Sequence, residues 1–167
     1  MQFAEDLLDV ARSLADMDAS IDIPRQATLR RAVSTAYYAL FHLLISEATL
    51  NWHRAEFRPS LGRIFEHGKM KNASSNRISA LNAGLKRMVA GTPDHTAANH
   101  LLTVASAFLK AHQEREDADY NTARVWTPTE AGNLVRSVSR AFDCWKVIRN
   151  EPAAQEYLVS LLGKQSR

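Results

Sequence analysis

The sequence predicts an all-α, up-and-down bundle of about five to six helices. Three observations carry that expectation. Only six Gly and five Pro punctuate 167 residues, too few for a turn-rich β fold. Apolar side chains recur at helical spacing along most of the chain. No stretch alternates apolar and polar residues as a half-buried strand would.

The elements follow in order. Phe3 to Ala15 is the first helix, striped by Phe3, Leu7, Leu8, Val10, Ala11 and Leu14. Asp16 to Asp22 is a polar break. The second helix begins near Pro24, a residue suited to a first helical turn, and runs to about Leu50. Val33, Tyr37, Leu40 and Leu44 line one side of it, and Tyr38, Phe41 and Ile45 another. A helix apolar on most sides belongs at the centre of a bundle. The third spans Pro59 to about Met70 and is closed by the polar run Lys71 to Asn76. The fourth takes Arg77 to Val89, with Ile78, Leu81, Leu85 and Met88 inward and Gly91 ending it. Thr92 and Pro93 cap a fifth helix carrying Leu101, Val104, Ala105, Phe108, Leu109 and His112. It is expected to stop around Arg115, leaving a charged loop to Trp126. Thr127, Pro128 and Glu130 form a capping box that opens the last long helix, on which Ala131, Leu134, Val138, Ala141, Phe142, Trp145 and Ile148 face inward. A short helix over Pro152 to Leu162 completes one domain spanning residues 1–167, its core within about 5–150.

Composition narrows the class. An apolar fraction of 46% and a charged fraction of 23% are those of an ordinary globular protein. Cys144 is alone, so no intrachain disulfide forms, and its apolar setting makes it a small packing residue. No apolar run reaches the roughly 18 to 20 residues of a membrane span, so no membrane partner is expected. The acidic start lacks the basic end of a signal peptide, and a reducing cytoplasm is the expected setting. Charge is unevenly spread. Residues 1–23 carry one basic and six acidic side chains, a balance of −5; residues 24–90 carry eleven and three, a balance of +8. A basic middle suits an anionic partner such as RNA or a nucleotide; equally, it suits an acidic first helix packed beside a basic surface.

Two segments carry candidate chemistry. On the second helix Arg31, Tyr38 and His42 share a face, at spacings of seven and four. On the fifth, His112 and Arg115 are three apart, with Asp119 one turn beyond if the helix persists and Asp117 and Tyr120 beside it. An Arg, a His, a carboxylate and a Tyr hydroxyl converging in a bundle bind a phosphate, or position a 2′-hydroxyl for RNA cleavage. The same residues also make a buried Arg115–Asp119 ion pair with Tyr38 as hydrogen-bond partner, fixing helix register. No cofactor or metal is expected: His95 and His100 are five apart, about 140° round a helix, and no Gly-rich phosphate loop occurs. Trp52, Arg54, Phe57 and Arg58 form a basic and aromatic cluster suited to RNA or to a solvated edge.

The run from Arg31 through Ala36, Tyr37, Tyr38, Ala39, Phe41 and His42 resembles the R-x-x-x-x-A-Y-Y-A-x-F-H helix of the HEPN superfamily. Arg115, Ala118, Asp119 and Tyr120 are similar to the R-x-x-A-D-Y segment of one branch of it. The resemblance covers about residues 5 to 150. It implies a helical-bundle fold, commonly dimeric, in small bacterial and archaeal proteins. Many of these are metal-independent RNases in toxin–antitoxin, abortive-infection and CRISPR-linked systems. Their signature, an Arg followed after four to six residues by a His, is absent: Arg63 and His67 have three residues between them, Arg87 and His95 seven, and no His follows Arg115. What the resemblance then implies is a variant catalytic set of Arg115, Asp119 and His112, with Arg31, Tyr38, His42, Asp117 and Tyr120 as binding residues. The expected partners are a second copy, RNA or a nucleotide, and a protein such as an antitoxin. The alternative is a non-catalytic protein–protein interaction module whose polar cluster is structural.

Overall fold

Why one helix can be apolar nearly all round is answered by its place in the fold. A computed structural model describes residues 2–17 and 25–163, and α2 (Gln26–Leu50) runs through its middle. Leu29, Ala32, Val33, Ala36, Tyr37, Leu40 and Leu44 on α2 are all but inaccessible to solvent. Around it lie α1 (Gln2–Met17), α5 (Pro93–Tyr120) and α6 (Pro128–Ile148). A 3₁₀ turn (Ala55–Phe57) and the short α3 (Arg58–Gly62) lead into α4 (His67–Leu85), which packs on α5; α7 (Pro152–Ser160) closes one end. The described residues thus hold seven α-helices, above the five to six expected, and no strand.

Paired contacts fix the directions. Ser34 and Tyr38 of α2 meet Asp119 and Arg115 of α5 respectively, so these two helices are antiparallel. Gln26 meets Trp126 before α6, and Glu47 meets Arg149 after it, so α2 and α6 are parallel. Glu5 pairs with Lys146 and Arg12 with Ser139, so α1 runs against α6. Helices α1, α2, α5 and α6 therefore alternate up and down, with α4 laid against α5.

Three boundaries differ from expectation. The start near Pro24 lies outside the described residues, as does most of the polar break; its first residues, Asp16 and Met17, are helical. The run Lys71 to Asn76 does not end a helix but sits inside α4, which stops at Leu85 and leaves Met88 and Val89 exposed. Its Ser74 is fully buried, meets the Tyr157 hydroxyl at 2.8 Å and donates back to the Met70 carbonyl at 2.7 Å. Packing against α7 overrides weak local propensity. Finally, α5 continues through Arg115 to Tyr120.

Arg30 explains that last extension. Its guanidinium donates to the carbonyls of Ala118 (2.8 Å), Asn121 (3.0 Å) and Arg124 (2.6 Å). The Ala118 carbonyl is among the acceptors a helix C-terminus leaves unpaired, those of Asn121 and Arg124 lie just beyond the helix, and a cation there also suits the helix dipole. Downstream, Gln26 pairs with both backbone groups of Trp126 at 2.8 Å. The capping box at Thr127 and Glu130 then forms as the sequence predicts. No helix among the described residues is long and apolar enough to cross a membrane.

Candidate functional site

Because α5 stays helical, its side chains at positions 112, 115, 116 and 119 share a face, and α2 supplies the opposing wall. Arg115 lies between them. Its Nη2 donates to the Tyr38 hydroxyl at 2.8 Å, and its Nε faces Asp119 Oδ2 at 2.9 Å as an ion pair rather than an aligned hydrogen bond. Ser34 donates to the other Asp119 oxygen. The guanidinium carbon sits 5.7, 5.5 and 5.7 Å from the ring centres of Tyr37, Tyr38 and Tyr120, within cation–π range. Burial works against the Arg115 charge, but the Tyr38 hydrogen bond and the charge of Asp119 outweigh it and hold its pKa above the ordinary value. The side chain keeps 14% exposure and that of Asp119 30%, so the pair borders solvent.

Three histidines gather beside this pair. His42 is half-buried, with Phe3 edge-on at 5.0 Å. His67, at the first turn of α4, stacks on Phe41 at 4.3 Å. His112 is only 3% exposed and meets the Tyr37 ring at 90° and 5.5 Å. Its Nδ1 is 3.5 Å from Glu116, without a hydrogen bond, and Lys71 approaches the same carboxylate at 3.6 Å. Burial lowers the pKa of all three below the usual histidine value. The Arg115 cation lowers His67 further, and His67 lowers His42. Glu116 opposes the fall at His112. All three imidazoles are therefore held neutral at pH 7.

Tyr37 fixes how His67 carries its proton. The phenol oxygen lies 2.6 Å from His67 Nδ1 on a fully buried residue, and burial pushes its pKa far up. Tyr37 stays protonated, and His67 Nδ1 is its acceptor among the described residues. Neutral imidazole has one donor and one acceptor nitrogen, so His67 bears its proton on Nε2.

Of the residues singled out from sequence, Tyr38, His112, Arg115 and Asp119 join this cluster, His42 lies at its edge, and Tyr120 covers the guanidinium. Arg31 does not converge with Tyr38: it is exposed, two turns away, about 10 Å along the axis. Asp117 turns outward to Arg124 at 2.6 Å. The exposed Arg54 pairs with Glu56 at 3.5 Å, while Arg58 donates to the Leu50 and Trp52 carbonyls at the end of α2. Trp52 and Phe57 are half exposed. Sequence reasoning missed Tyr37 as a polar partner, and it weighed His67 only against Arg63, not as a member of this cluster. The available signal was that a buried phenol requires an acceptor. Among the described residues no group of three His, Cys, Asp or Glu side chains converges to hold a metal ion.

No family model, curated protein or solved structure matches the chain.

Proposed function

We propose that the chain is a HEPN-like RNA-binding protein that cleaves RNA without a metal at the cluster around Arg115. The observation that carries this reading is a solvent-bordering guanidinium held among three tyrosines with neutral histidines beside it. A neutral imidazole accepts a proton near pH 7, and a fixed guanidinium stabilises charge developing on phosphate. In this reading His42 takes the proton of a ribose 2′-hydroxyl. The 2′-oxygen bonds to phosphorus, the bond to the 5′-oxygen breaks, and the His42 imidazolium returns the proton through water to that leaving oxygen, while neutral His67 offers its Nε2–H as a hydrogen bond to a phosphoryl oxygen. The products are a 2′,3′-cyclic phosphate and a 5′-hydroxyl. Arg115 stabilises the phosphoryl oxygens and Asp119 positions Arg115. His112 is too buried to reach a substrate and packs behind Tyr37, so proton transfer moves from His112 to His42. The same reading places the protein in the cytoplasm, in a toxin–antitoxin or defence system. A half-exposed stripe on α1, Phe3, Val10 and Met17, supports pairing with a second copy; a monomeric mass at micromolar concentration would count against that dimer.

A second reading has its own support. The chain Ser34–Asp119–Arg115–Tyr38 pairs its members with one another, as a purely structural cluster would in a non-catalytic module that docks a protein partner such as an antitoxin. Purified protein incubated with total and synthetic RNA in chelator separates the two. Cleavage by wild type and not by a folded Arg115→Ala variant supports the RNase; no cleavage by either leaves the interaction module.

A further inference from the structure

Beside the guanidinium site, α2 and α5 leave a second concavity that the proposed cleavage chemistry does not use. It is an open cleft of about 430 Å³ between the first turns of α2 and the last turn of α5. Its walls are Ala27, Arg31 and Ser34 on one side and Asp119 and Tyr120 on the other. Arg30 also borders it, but its donors are engaged with carbonyls at and beyond the end of α5. Arg31 differs from its neighbour: it is exposed and has no ion pair or hydrogen bond among the described residues. Tyr120 is 73% exposed, with Arg115 near its ring and much of the remaining aromatic surface open to solvent.

We propose that this cleft binds one nucleotide unit, its base stacked on Tyr120 and its phosphate paired with Arg31. This rests on the RNA reading for its biological ligand, though not for its test. Three features select a nucleotide over a simple anion. An exposed aromatic ring offers a stacking platform that accepts any base. A guanidinium without a partner among the described residues matches a phosphate with paired donors. Between them Asp119 holds two carboxylate oxygens, each keeping a lone pair after Ser34 and Arg115 are served. A carboxylate repels a bare anion but accepts N–H groups from a base edge. The cleft volume lies within the range that small ligands occupy. RNA entering here would lie beside Arg115, placing the cleft as a flanking subsite to the phosphate that is cut.

The test uses the full chain, ¹⁵N-labelled, titrated separately with the four nucleoside 5′-monophosphates and with inorganic phosphate. At least one nucleotide is expected to shift amides at 27–34 and 118–120, more tightly than phosphate. Tyr120→Ala is expected to weaken that nucleotide by about 5- to 150-fold, the worth of one stacked base, while Tyr120→Phe binds like wild type. Arg31→Gln is expected to weaken it and flatten its salt dependence. Both side chains are exposed, so the variants fold. Nucleotide affinity unchanged in Tyr120→Ala and Arg31→Gln overturns the proposal. So does binding of phosphate alone, or no nucleotide bound at millimolar concentration. A single-stranded RNA titration separates the two claims. If RNA binds wild type and both variants equally, the cleft assignment falls and the RNA reading stands. If mononucleotides behave as expected and RNA does not bind, the cleft stands and the RNA reading falls.

Discussion

The Tyr37 hydroxyl commits its proton to His67 Nδ1 at 2.6 Å, and this sets a property readable without any ligand. Two-dimensional ¹H–¹⁵N spectra of the imidazoles should show His67 as the Nε2–H tautomer at pH 7.5. Tyr37→Phe should return it to a mixture and lower stability by about 1 kcal/mol, the ordinary worth of one hydrogen bond; an Nδ1–H wild type refutes the assignment. Arg115→Ala tests the neighbouring pair. A fully buried pair loses about 3–5 kcal/mol when one partner is removed. Asp119 keeps Ser34 and its side chain is 30% exposed, so we expect about 1–3 kcal/mol, measured by urea unfolding. A loss above that range would mean that solvent does not reach the stranded carboxylate. Much of this site was legible in the sequence, because Tyr38, His42, His112, Arg115 and Asp119 lie at helical spacings. His67 was not, because its role depends on where α4 begins in space, and no local spacing encodes that.

Helix α5 owes its last turn to a residue on another helix. Arg30 binds three carbonyls beyond or at the end of α5, and within that turn Arg115 pairs with Asp119. Arg30→Ala should therefore act locally first. Amides from 117 to 121 should exchange several-fold faster than in wild type while those of α6 do not, and global stability should fall by about 1 kcal/mol as partly exposed carbonyls lose a charged donor. Uniform acceleration across the chain would argue against a capping role. Arg30→Lys, with one point donor in place of a planar fork, should rescue only partly. The same dependence on tertiary partners explains which boundaries the sequence showed. The start of α6 was legible because Thr127, Pro128 and Glu130 carry their own cap. The continuity of α4 and the end of α5 were not: Lys71 to Asn76 reads as a break until Ser74 meets Tyr157, and the charged stretch after Arg115 reads as a loop until Arg30 reaches it. Arg31 was misplaced for a related reason, since sharing a face with Tyr38 says nothing about which partner helix extends that far.

At the scale of the molecule, the three histidines make stability depend on pH in a defined window. His42, His67 and His112 sit on α2, α4 and α5, where burial lowers each pKa below the ordinary histidine value. The charged groups facing them are Arg115, Lys71 and Glu116, and only Glu116 favours protonation. Above about pH 6.5 both folded and unfolded chains hold these imidazoles neutral, and the contribution is flat. As pH falls through 6.5 the unfolded chain takes up protons first, which favours unfolding; the loss is complete once pH drops below the folded-state values. Glu130 is held below the ordinary carboxylate range by the backbone N–H and hydroxyl of Thr127, so it contributes little between pH 7.5 and 5.5. The melting temperature should accordingly hold from pH 7.5 to about 6.5 and decline from there to 5.5, each histidine adding at most about 1.4 kcal/mol per pH unit. His67→Asn, which offers Tyr37 an amide oxygen, should flatten the decline. A melting temperature constant from 7.5 to 5.5 would mean that the cluster accommodates protons in the folded state. The proposed RNase adds a second readout in the same window. His42 accepts a proton only when neutral, so cleavage should rise with pH through its lowered pKa and level off by pH 7. A rate that falls over that range, in protein shown to be folded, removes His42 as the base while leaving the stability argument intact.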